Sequence, residues 1–361
     1  MKYIIYLQLG PTIIAYLGGE AKESISWIAR HIGYDSLRDA LIWLLYSDLT
    51  PEGQRAVARS GIFVNMFSRL CTWQRTLSWG VGTTYQRDSI ENICILLQNI
   101  LYPPAVSTIG DIITYVDPSQ DAALPLISGQ ASVADKNNLL RNLLQQMQSS
   151  DDHLFGTFLD LGYAELKRQV ELVVNFPIHE GGALSIVMML MSTLSYHKRH
   201  RELGDIESLL LTTKKILIKA IVPRVESFVH LCEACAIPHT PHTTAGNGSA
   251  FLSIVTFLKR CIFLQSAAID AQLAKYGCIP CLLSCYTAHP SNSLMHHELT
   301  DVVRFLLLDP TQSRLPSCPL LHSLFITESS ILDLVVMSYA GDSTLQYRGH
   351  MTTIANRYLF E

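Results

Sequence analysis

Apolar residues recur at every third or fourth position through most of this 361-residue chain. Ile28 and Ile32 begin the pattern, and Leu37, Leu41 and Leu44 continue it. Strict alternation of apolar and polar residues over five or more positions, which is typical of half-buried strands, is hard to find. A spacing of three and four residues places apolar side chains on one face of a helix. The chain is therefore predicted to be all-α.

Residues that cap or interrupt helices divide this pattern into short segments. Asp35 and Ser36 suit the start of a helix, Pro51 suits a first helical turn, and Gly61 suits a helix end. These signals predict about 17 helices, each close to the usual 11 or 12 residues. The predicted helices cover residues 37–46, 50–59, 62–71, 87–101, 136–147, 153–161, 164–174, 182–196, 206–220, 224–236, 248–264, 269–275, 279–286, 294–307, 320–325, 329–338 and 349–359.

Short helices in close succession either close into a bundle or stack into a solenoid. The solenoid is favoured because the helices have similar lengths and helix–turn–helix units recur at roughly 40 residues, as in armadillo and HEAT repeats. Proline-containing segments predict a long surface connection at about 102–135 and a polar loop at about 237–247. Neither segment is long enough to separate domains. Residues 1–361 are therefore predicted to form a single armadillo- or HEAT-like solenoid domain.

The composition limits the partners and the location of the chain. Apolar residues make up 48 % of it and charged residues 16 %, with a net charge of −4, which excludes disorder and offers no electrostatic footprint for nucleic acid or an anionic membrane. No unbroken run of about 20 apolar residues predicts a membrane span. Gln8, Gly10 and Pro11 interrupt the apolar start, which is predicted as two short core helices rather than a signal peptide. Nine cysteines, many in apolar stretches, indicate reduced thiols and a cytoplasmic protein.

One group of residues has the ligand types of a zinc site, namely Cys232, Cys235, His239 and His242. Only three residues separate the cysteine pair from the first histidine, whereas a zinc finger needs about a dozen for the chain to fold back. The favoured interpretation places both cysteines on one face of a core helix and both histidines in a surface loop. Three further cysteines within 278–285 have the spacing of one helical stripe. A zinc-stabilised helical protein remains an alternative, but no metal or other cofactor is predicted.

Motifs that carry catalysis are missing from the sequence. It contains no glycine-rich phosphate loop, no Gly-x-Ser-x-Gly elbow and no His-Glu-x-x-His, because His297 and Glu298 are followed by Leu-Thr-Asp. Acidic residues are scattered singly, so a pair of catalytic carboxylates cannot be nominated. The chain is therefore predicted to act by binding rather than as an enzyme.

Three segments resemble the SAPS family, the regulatory subunits of protein phosphatase 6-type serine/threonine phosphatases. The most specific is Tyr-Arg-Gly-His-Met-Thr-Thr-Ile-Ala-Asn at 347–356, which is similar to the family's Tyr-Met-Gly-His-Leu-Thr-Arg-Ile-Ala-Asn. Ala-Arg-His-Ile-Gly at 29–33, followed by a leucine-rich helix, and Arg-Val-Glu-Ser-Phe-Val-His-Leu at 224–231 are the others. They occur in the family's order, so the resemblance runs from about residue 3 to residue 356.

The resemblance implies an armadillo-like scaffold that binds a phosphatase catalytic subunit, directs its substrate choice and carries no catalytic residues. It also implies a third, ankyrin-type subunit and a cytoplasmic location, with the nucleus as a second compartment. The alternative is a general armadillo-like adaptor for another protein assembly. The residues expected to contact the partner are His31, Arg224, Phe228, Tyr347, Arg348, His350, Thr352 and Asn356.

Three of the matching residues also have structural interpretations. Gly33 is expected to end a helix in a left-handed conformation. Arg224 is expected either to pair with a phosphatase carboxylate or to cap its own preceding helix, and His350 either to hold a structural hydrogen bond or to contact the partner. Because the chain has few charges and no span, we also expect it to expose an apolar patch that a partner covers.

Overall fold

The computed structural model describes twelve parts of the chain, and they are almost entirely helical. These parts are residues 28, 30–47, 59–78, 83–101, 133–149, 153–172, 182–197, 206–236, 248–308, 319–326, 330–340 and 347–356. Within them there are fifteen α-helices, one short 3-10 helix and no strand. The prediction of an all-α fold is confirmed.

The helices are numbered in chain order, and α7 is joined to α8 by the 3-10 helix Val222–Arg224. Their bounds are α1 Asp35–Ser47, α2 Ile62–Ser78, α3 Thr84–Leu101, α4 Val133–Ser149, α5 Leu154–Leu172, α6 Ala183–His197, α7 Ile206–Ile221, α8 Val225–Ala236, α9 Gly248–Phe263, α10 Ala267–Lys275, α11 Cys278–Ala288, α12 Ser293–Leu308, α13 Pro319–Ile326, α14 Ile331–Ala340 and α15 Arg348–Ile354.

Most of the described helices fall where the apolar spacing predicts them, but two predictions need correction. The helix predicted at 62–71 continues to Ser78 as α2. The separate helices predicted at 153–161 and 164–174 are a single helix, α5, because Gly162 does not interrupt it. A glycine inside a helix costs only about 1 kcal/mol, and buried Phe158 and Leu166 on either side of it hold the helix in the core. Of the surface connection predicted at 102–135, residues 102–132 lie outside the described residues. Its last residues belong to a helix instead, because α4 already begins at Val133. The loop predicted at 237–247 also lies outside the described residues.

The chain divides into two compact units. Unit 1 comprises residues 1–158 and 181–213, and unit 2 comprises residues 159–180 and 214–361. In unit 1, α3 is central and packs against α1, α2, α4 and α6. Its buried residues Ile93, Leu96 and Leu97 lie in the same core as Phe63 and Phe67 of α2. The core of unit 1 is thus built around one helix.

Four helices in unit 2 pack against the helix three places further along the chain, whereas α11 packs against α13. Helix α8 packs against α11, α9 against α12, α10 against α13, and α12 against α15, so each contacts the helix three places further along the chain. Helices close together in the chain also touch, as α8 does with α9 and α10. Corresponding helices begin about 50 residues apart, slightly more than the roughly 40 to 47 residues of armadillo and HEAT repeats.

Gly33 does not have the left-handed conformation expected from the sequence. Among the described glycines only Gly61, Gly182 and Gly277 have positive φ angles. Gly33 is instead required by close packing, because a Cβ atom there would lie 2.5 Å from Cε2 of Tyr85 and 2.6 Å from Oγ of Ser89. The chain before α1 can therefore approach α3 only where a side chain is missing.

The substitution Gly33→Ala is expected to destabilise unit 1 by about 1–3 kcal/mol, since an added methyl group displaces two packed side chains. All four tryptophans of the chain lie within residues 1–158 of unit 1, so tryptophan fluorescence during urea unfolding monitors the effect. The control is Gly349→Ala in unit 2, where a Cβ atom meets nothing within 4 Å. A Gly33→Ala midpoint equal to that of the unmodified chain contradicts the packing argument.

One stretch of the described chain is long and apolar enough to cross a membrane. It is Pro319–Ala340, which includes α13, α14 and residues 327–329 outside the described part, and 40 % of its apolar 18-residue window is buried within the protein. Core helices of proteins that never enter a membrane meet the same criterion of length and composition, so one such stretch is weak evidence for a span.

Candidate functional site

The residues expected to contact a partner lie in three places. His31 belongs to unit 1, Arg224 and Phe228 lie at the start of α8 in unit 2, and the remaining five lie on or beside α15 in unit 2. Tyr347 immediately precedes α15, and Asn356 follows it. The residues of the third place are therefore the ones that the structure brings together on one helix.

His31 lies in the turn before α1, and its side chain is half-buried. Its ring stacks on that of Tyr34 with 6.3 Å between centroids, and Tyr34 in turn contacts Tyr85 at 5.5 Å. The hydroxyl of Tyr85 donates a hydrogen bond to the carbonyl of Arg30 at 2.7 Å. His31 is thus part of an aromatic group that fastens this turn to α3, with the ring of Tyr34 exposed beside it.

Arg224 is held by two partners within its own chain. Its Nε and Nη2 atoms donate to the two carboxylate oxygens of Asp160 on α5, each at 2.7 Å. Its Nη1 atom donates to the carbonyl of Ala220 at 2.9 Å, which caps the end of α7. The hydrogen bonds to Asp160 and its negative charge raise the pKa of the guanidinium above its usual value. Of the two interpretations considered for Arg224, the structure shows the helix cap, with a carboxylate of this chain as the ionic partner.

Phe228 and Tyr347 are core residues of unit 2. Phe228 packs between Tyr163 of α5 and Phe257 of α9, with ring centroids 5.5 Å and 4.2 Å away. Tyr347 packs edge-on against Tyr286 and lies almost completely buried. Neither side chain presents surface to a partner in this conformation.

Three further residues at α15 are more accessible than Tyr347. Arg348 and Thr352 are half-buried, and Asn356 is exposed. The Thr352 hydroxyl donates to the carbonyl of Arg348 at 2.9 Å, so it is used within the helix. Arg348 and Asn356 are therefore the residues of this segment that retain the most capacity for contacts outside the chain.

A compact polar cluster lies beneath α15. It brings His350 of α15 together with Tyr286 of α11 and with His296 and Thr300 of α12. The rings of Tyr286 and His296 are stacked at 5.1 Å, and the His296 and His350 rings are 5.6 Å apart. Oγ1 of Thr300 lies 3.1 Å from Nδ1 of His350 and 3.1 Å from the hydroxyl oxygen of Tyr286.

The hydroxyl of Thr300 is central to the hydrogen bonds of this cluster. The single hydroxyl proton of Thr300 is donated to the carbonyl of His296 at 2.7 Å, four residues earlier in α12. Nδ1 of His350 also lies within hydrogen-bond distance of Oγ1, and it donates to Oγ1 in the tautomer that carries the proton on Nδ1. This geometry is the structural hydrogen bond considered for His350.

The cluster keeps His296 neutral. Burial, followed by the nearby charge that His350 acquires when protonated, lowers the pKa of His296 from 6.5 to about 4. Burial also lowers the pKa of His350. Nε2 of His296 is buried and has no hydrogen-bond partner among the described residues, so protonation would place an unpaired charge in the core.

The stability of unit 2 is expected to fall as the pH decreases from about 6.5 to 4. In the unfolded chain His296 takes up a proton near pH 6.5, whereas in the folded chain it does so only near pH 4. This difference in pKa lowers the free energy of unfolding by about 2–3 kcal/mol over that pH range. Urea unfolding followed by circular dichroism at pH 7, 5.5 and 4.5 measures this loss. His296→Phe should reduce it, while His297→Gln, at an exposed neighbouring position, should not. Equal pH dependence of His296→Phe and the unmodified chain contradicts this assignment.

His296 belongs to none of the motifs considered in the sequence, although its position on the helix predicts that it is buried. Leu299, Thr300 and Val303 follow it at spacings of three, four and seven residues, and all four side chains are buried. These spacings place His296 on the apolar stripe of α12, whereas the neighbouring His297 points outward. The position predicts burial, but it does not predict the partners, because Tyr286 and His350 come from other helices.

The cysteines expected on core helices are buried together where α8 packs on α11. The thiol of Cys232 on α8 contacts those of Cys281 and Cys285 on α11, with Cys235 close by. Burial raises the pKa of Cys235 to about 12. The core placement of these cysteines is confirmed, and no group of three or more described His, Cys, Asp or Glu residues has a geometry that could hold a metal ion. His239 and His242 lie outside the described residues.

Lys259 on α9 is a second group that motif searches did not single out. Its Nζ atom lies 2.7 Å from Oδ2 of Asp301 and 3.0 Å from Oε2 of Glu298, both on α12. It also lies 5.4 Å from the ring centroid of Phe263. Arg304 adds a second cation to Asp301 at 3.0 Å. This partly buried ion-pair network joins α9 to α12 within unit 2.

Comparison with known proteins adds no assignment to this geometry. No protein-family model, no curated protein sequence and no solved structure matches the chain.

Proposed function

We propose that this protein is a regulatory, scaffolding subunit that binds a protein phosphatase 6-like serine/threonine phosphatase catalytic subunit and directs its substrate choice. The observation that carries the proposal is the packing order of unit 2, in which α8, α9, α10 and α12 each contact the helix three places further on. This order is typical of three-helix armadillo-type repeats, whose stacked helices form extended protein-binding surfaces.

The polar groups of unit 2 support binding rather than catalysis. Arg224, Thr300 and Lys259 all find their partners within the chain. A catalytic site needs a nucleophile or base that is directed at a substrate, whereas each of these three groups is directed at another residue of the chain. The proposed activity is therefore the positioning of a partner enzyme in the cytoplasm.

The choice of a phosphatase as partner rests on the resemblance of residues 347–356 to the SAPS family. These residues form α15 and its two ends, and α15 packs on α12 and α14. Arg348 and Asn356 are the accessible members of the segment. We propose them as contact residues, with the buried Tyr347 and His350 holding the helix in place.

Affinity capture of the tagged full-length chain from its native cells tests the proposal. A serine/threonine phosphatase catalytic chain is expected among the major co-purified proteins at low salt, and an ankyrin-type protein as a third component. The double variant Arg348→Ala, Asn356→Ala is expected to reduce phosphatase recovery at least severalfold. Lys275→Ala, at another exposed position of unit 2, serves as the matched control.

Capture without any phosphatase contradicts the proposal. If other proteins are recovered instead, and the same double variant abolishes their binding, the chain is a general armadillo-like adaptor. Each variant must retain the circular dichroism spectrum and urea midpoint of the unmodified chain, so that a loss of binding is not a loss of folding.

A further inference from the structure

Four cysteines lie together where α8 packs on α11. They are Cys232 and Cys235 on α8 and Cys281 and Cys285 on α11, and all four are buried free thiols. The thiol of Cys232 contacts those of both Cys281 and Cys285. Thiols that touch across a helix interface are placed to be joined by oxidation, because a disulfide needs its two side chains to approach each other closely.

Helix geometry allows a disulfide here only between α8 and α11. Residues three or four positions apart on one helix have Cβ atoms about 5–6 Å apart, whereas a disulfide needs about 3.5–4.5 Å. Cys232 and Cys235 are therefore not suited to each other, and neither are Cys281 and Cys285. Cys232 is the residue of α8 whose thiol contacts the thiols of α11, so the bond starts from Cys232.

Cys281 is the thiol of this group that is best suited to react first. Hydrogen bonds from the thiols of Cys232 and Cys285 lower the pKa of Cys281, although burial opposes them. This matters because the thiolate and not the thiol is the nucleophile. Cys281 also retains 7 % of its surface, whereas Cys232 and Cys285 are completely enclosed. Cys235 is similarly accessible, but burial raises its pKa to about 12, so it stays protonated.

We propose that hydrogen peroxide converts Cys281 and Cys232 into a reversible disulfide that joins α8 to α11. The small exposed area of Cys281 favours peroxide over a bulky oxidant such as glutathione disulfide. The Cys281 thiolate attacks one peroxide oxygen and the O–O bond breaks, which leaves a sulfenic acid on Cys281 and a hydroxide that takes up a proton to become water.

The second step closes the bond between the two helices. The sulfur of Cys232 attacks the sulfur of the Cys281 sulfenic acid, and the S–O bond breaks as the S–S bond forms. The hydroxyl group leaves with the proton of Cys232 as a second water. Together the two sulfurs lose two electrons to the peroxide, and a thiol reductant such as dithiothreitol returns them.

The disulfide closes a loop of about 50 residues that contains α9 and α10. A crosslink of this kind restricts the unfolded chain, so the oxidised protein is expected to unfold at a higher urea concentration than the reduced protein. The disulfide is independent of the phosphatase proposal, because it uses only α8 and α11 and leaves Arg348 and Asn356 beside α15 unchanged.

Peroxide treatment of the purified full-length chain, followed by alkylation of the remaining thiols with N-ethylmaleimide in urea, tests the proposal. Cleavage after Glu233 separates Cys232 from Cys235, and peptide mass spectrometry is expected to show Cys232 joined to a peptide that contains Cys281. The product is lighter than the reduced peptides by two hydrogen atoms, and dithiothreitol separates them. Cys71 is the internal control, since it is more accessible but burial raises its pKa to about 11. It is expected to be alkylated.

Two matched variants of α11 locate the bond. Cys281→Ala is expected to abolish the disulfide and leave Cys232 to be alkylated. Cys285→Ala removes the other thiol that contacts Cys232, one helical turn further on. It is expected to form the same disulfide, but more slowly, because Cys281 loses one of its hydrogen bonds. Each variant must retain the circular dichroism spectrum of the unmodified chain, whose own peptide analysis needs no substitution.

Three outcomes would overturn the proposal. The first is an unmodified chain in which Cys232 and Cys281 are both alkylated after peroxide treatment, whether or not Cys71 is oxidised. The second is a Cys281→Ala variant that still joins Cys232 to α11, which would assign the bond to Cys285. The third is a disulfide that forms only when the chain is unfolded in urea, which would mean that the folded interface does not bring the two thiols together.

Discussion

The variant Phe228→Ala is expected to unfold with a free energy about 3–5 kcal/mol below that of the unmodified chain. Phe228 is completely buried where α5, α8 and α9 meet, against Tyr163 and Phe257. Truncation removes its apolar contacts and leaves a cavity, because helices fixed on several sides can close only part of the space. The two ring contacts add to the loss, since each aromatic pair contributes about 0.5–1.5 kcal/mol beyond buried area.

Urea unfolding followed by circular dichroism at 222 nm measures the effect of this substitution. Phe228→Leu retains most of the volume and is expected to cost less than about 1.5 kcal/mol. Leu294→Ala, at an exposed position, is expected to stay within about 0.5 kcal/mol of the unmodified chain. A loss below 1 kcal/mol for Phe228→Ala would mean that the core at this point is not packed as described. Phe228→Leu also distinguishes a role in the core from a contact with a partner, because it should preserve capture of a partner if Phe228 acts only in the core.

The variant Lys259→Met is expected to lower the free energy of unfolding by about 2–4 kcal/mol at pH 7. Methionine replaces the buried stem of the lysine but not its charge. Asp301 and Glu298 then face each other in a partly buried site without the cation between them. Arg304 still reaches Asp301, and for that reason the expected loss is smaller than for a fully orphaned charge.

The pH dependence of this loss distinguishes an electrostatic effect from lost packing. Burial raises the pKa of Asp301, but Lys259 and Arg304 outweigh it and hold the pKa below its usual value. In the unmodified chain this stabilisation is present above the unfolded pKa of about 4 and is lost as the pH falls below it. In Lys259→Met the carboxylates gain protons at higher pH, which relieves their repulsion. The difference between the two proteins should therefore shrink from pH 7 to pH 4.5.

Lys275→Met is the matched control for this substitution, because Lys275 is a fully exposed lysine of the same unit. It is expected to change the free energy of unfolding by less than about 0.5 kcal/mol at either pH. If the loss for Lys259→Met is the same at pH 7 and pH 4.5, the lysine contributes through its apolar stem and not through its charge.

The expectation of an exposed apolar patch can be compared directly with the structure. Low charge in the sequence predicted that such a patch exists, and the exposed side chains of Leu332, Val336, Met337 and Tyr339 on α14 form one. Its position could not be deduced, because α14 is apolar on both sides and the sequence does not indicate which side faces the core. Leu334 and Val336 are equally apolar in the sequence, but Leu334 is buried and Val336 is exposed.

The candidate site likewise has parts that the sequence predicted and parts that it did not. The string at 347–356 marked α15 in advance, yet its residues differ sharply in what they can do. Tyr347 is buried and Asn356 is exposed, and that difference depends on how α15 rests on α12 and α14. The groups that complete the site, Tyr286 and His296, lie more than fifty residues before His350 and matched no motif.

The sequence by itself determined the helical class and the extent of most helices, because apolar spacing, caps and prolines act within a few residues of each other. The tertiary structure alone decided which helices meet. The pairing of Arg224 with Asp160, the packing of Cys232 on Cys281 and the enclosure of His296 join residues from different helices. Such contacts depend on how whole helix faces pack, and many pairings of similar apolar faces are compatible with one pattern of residues.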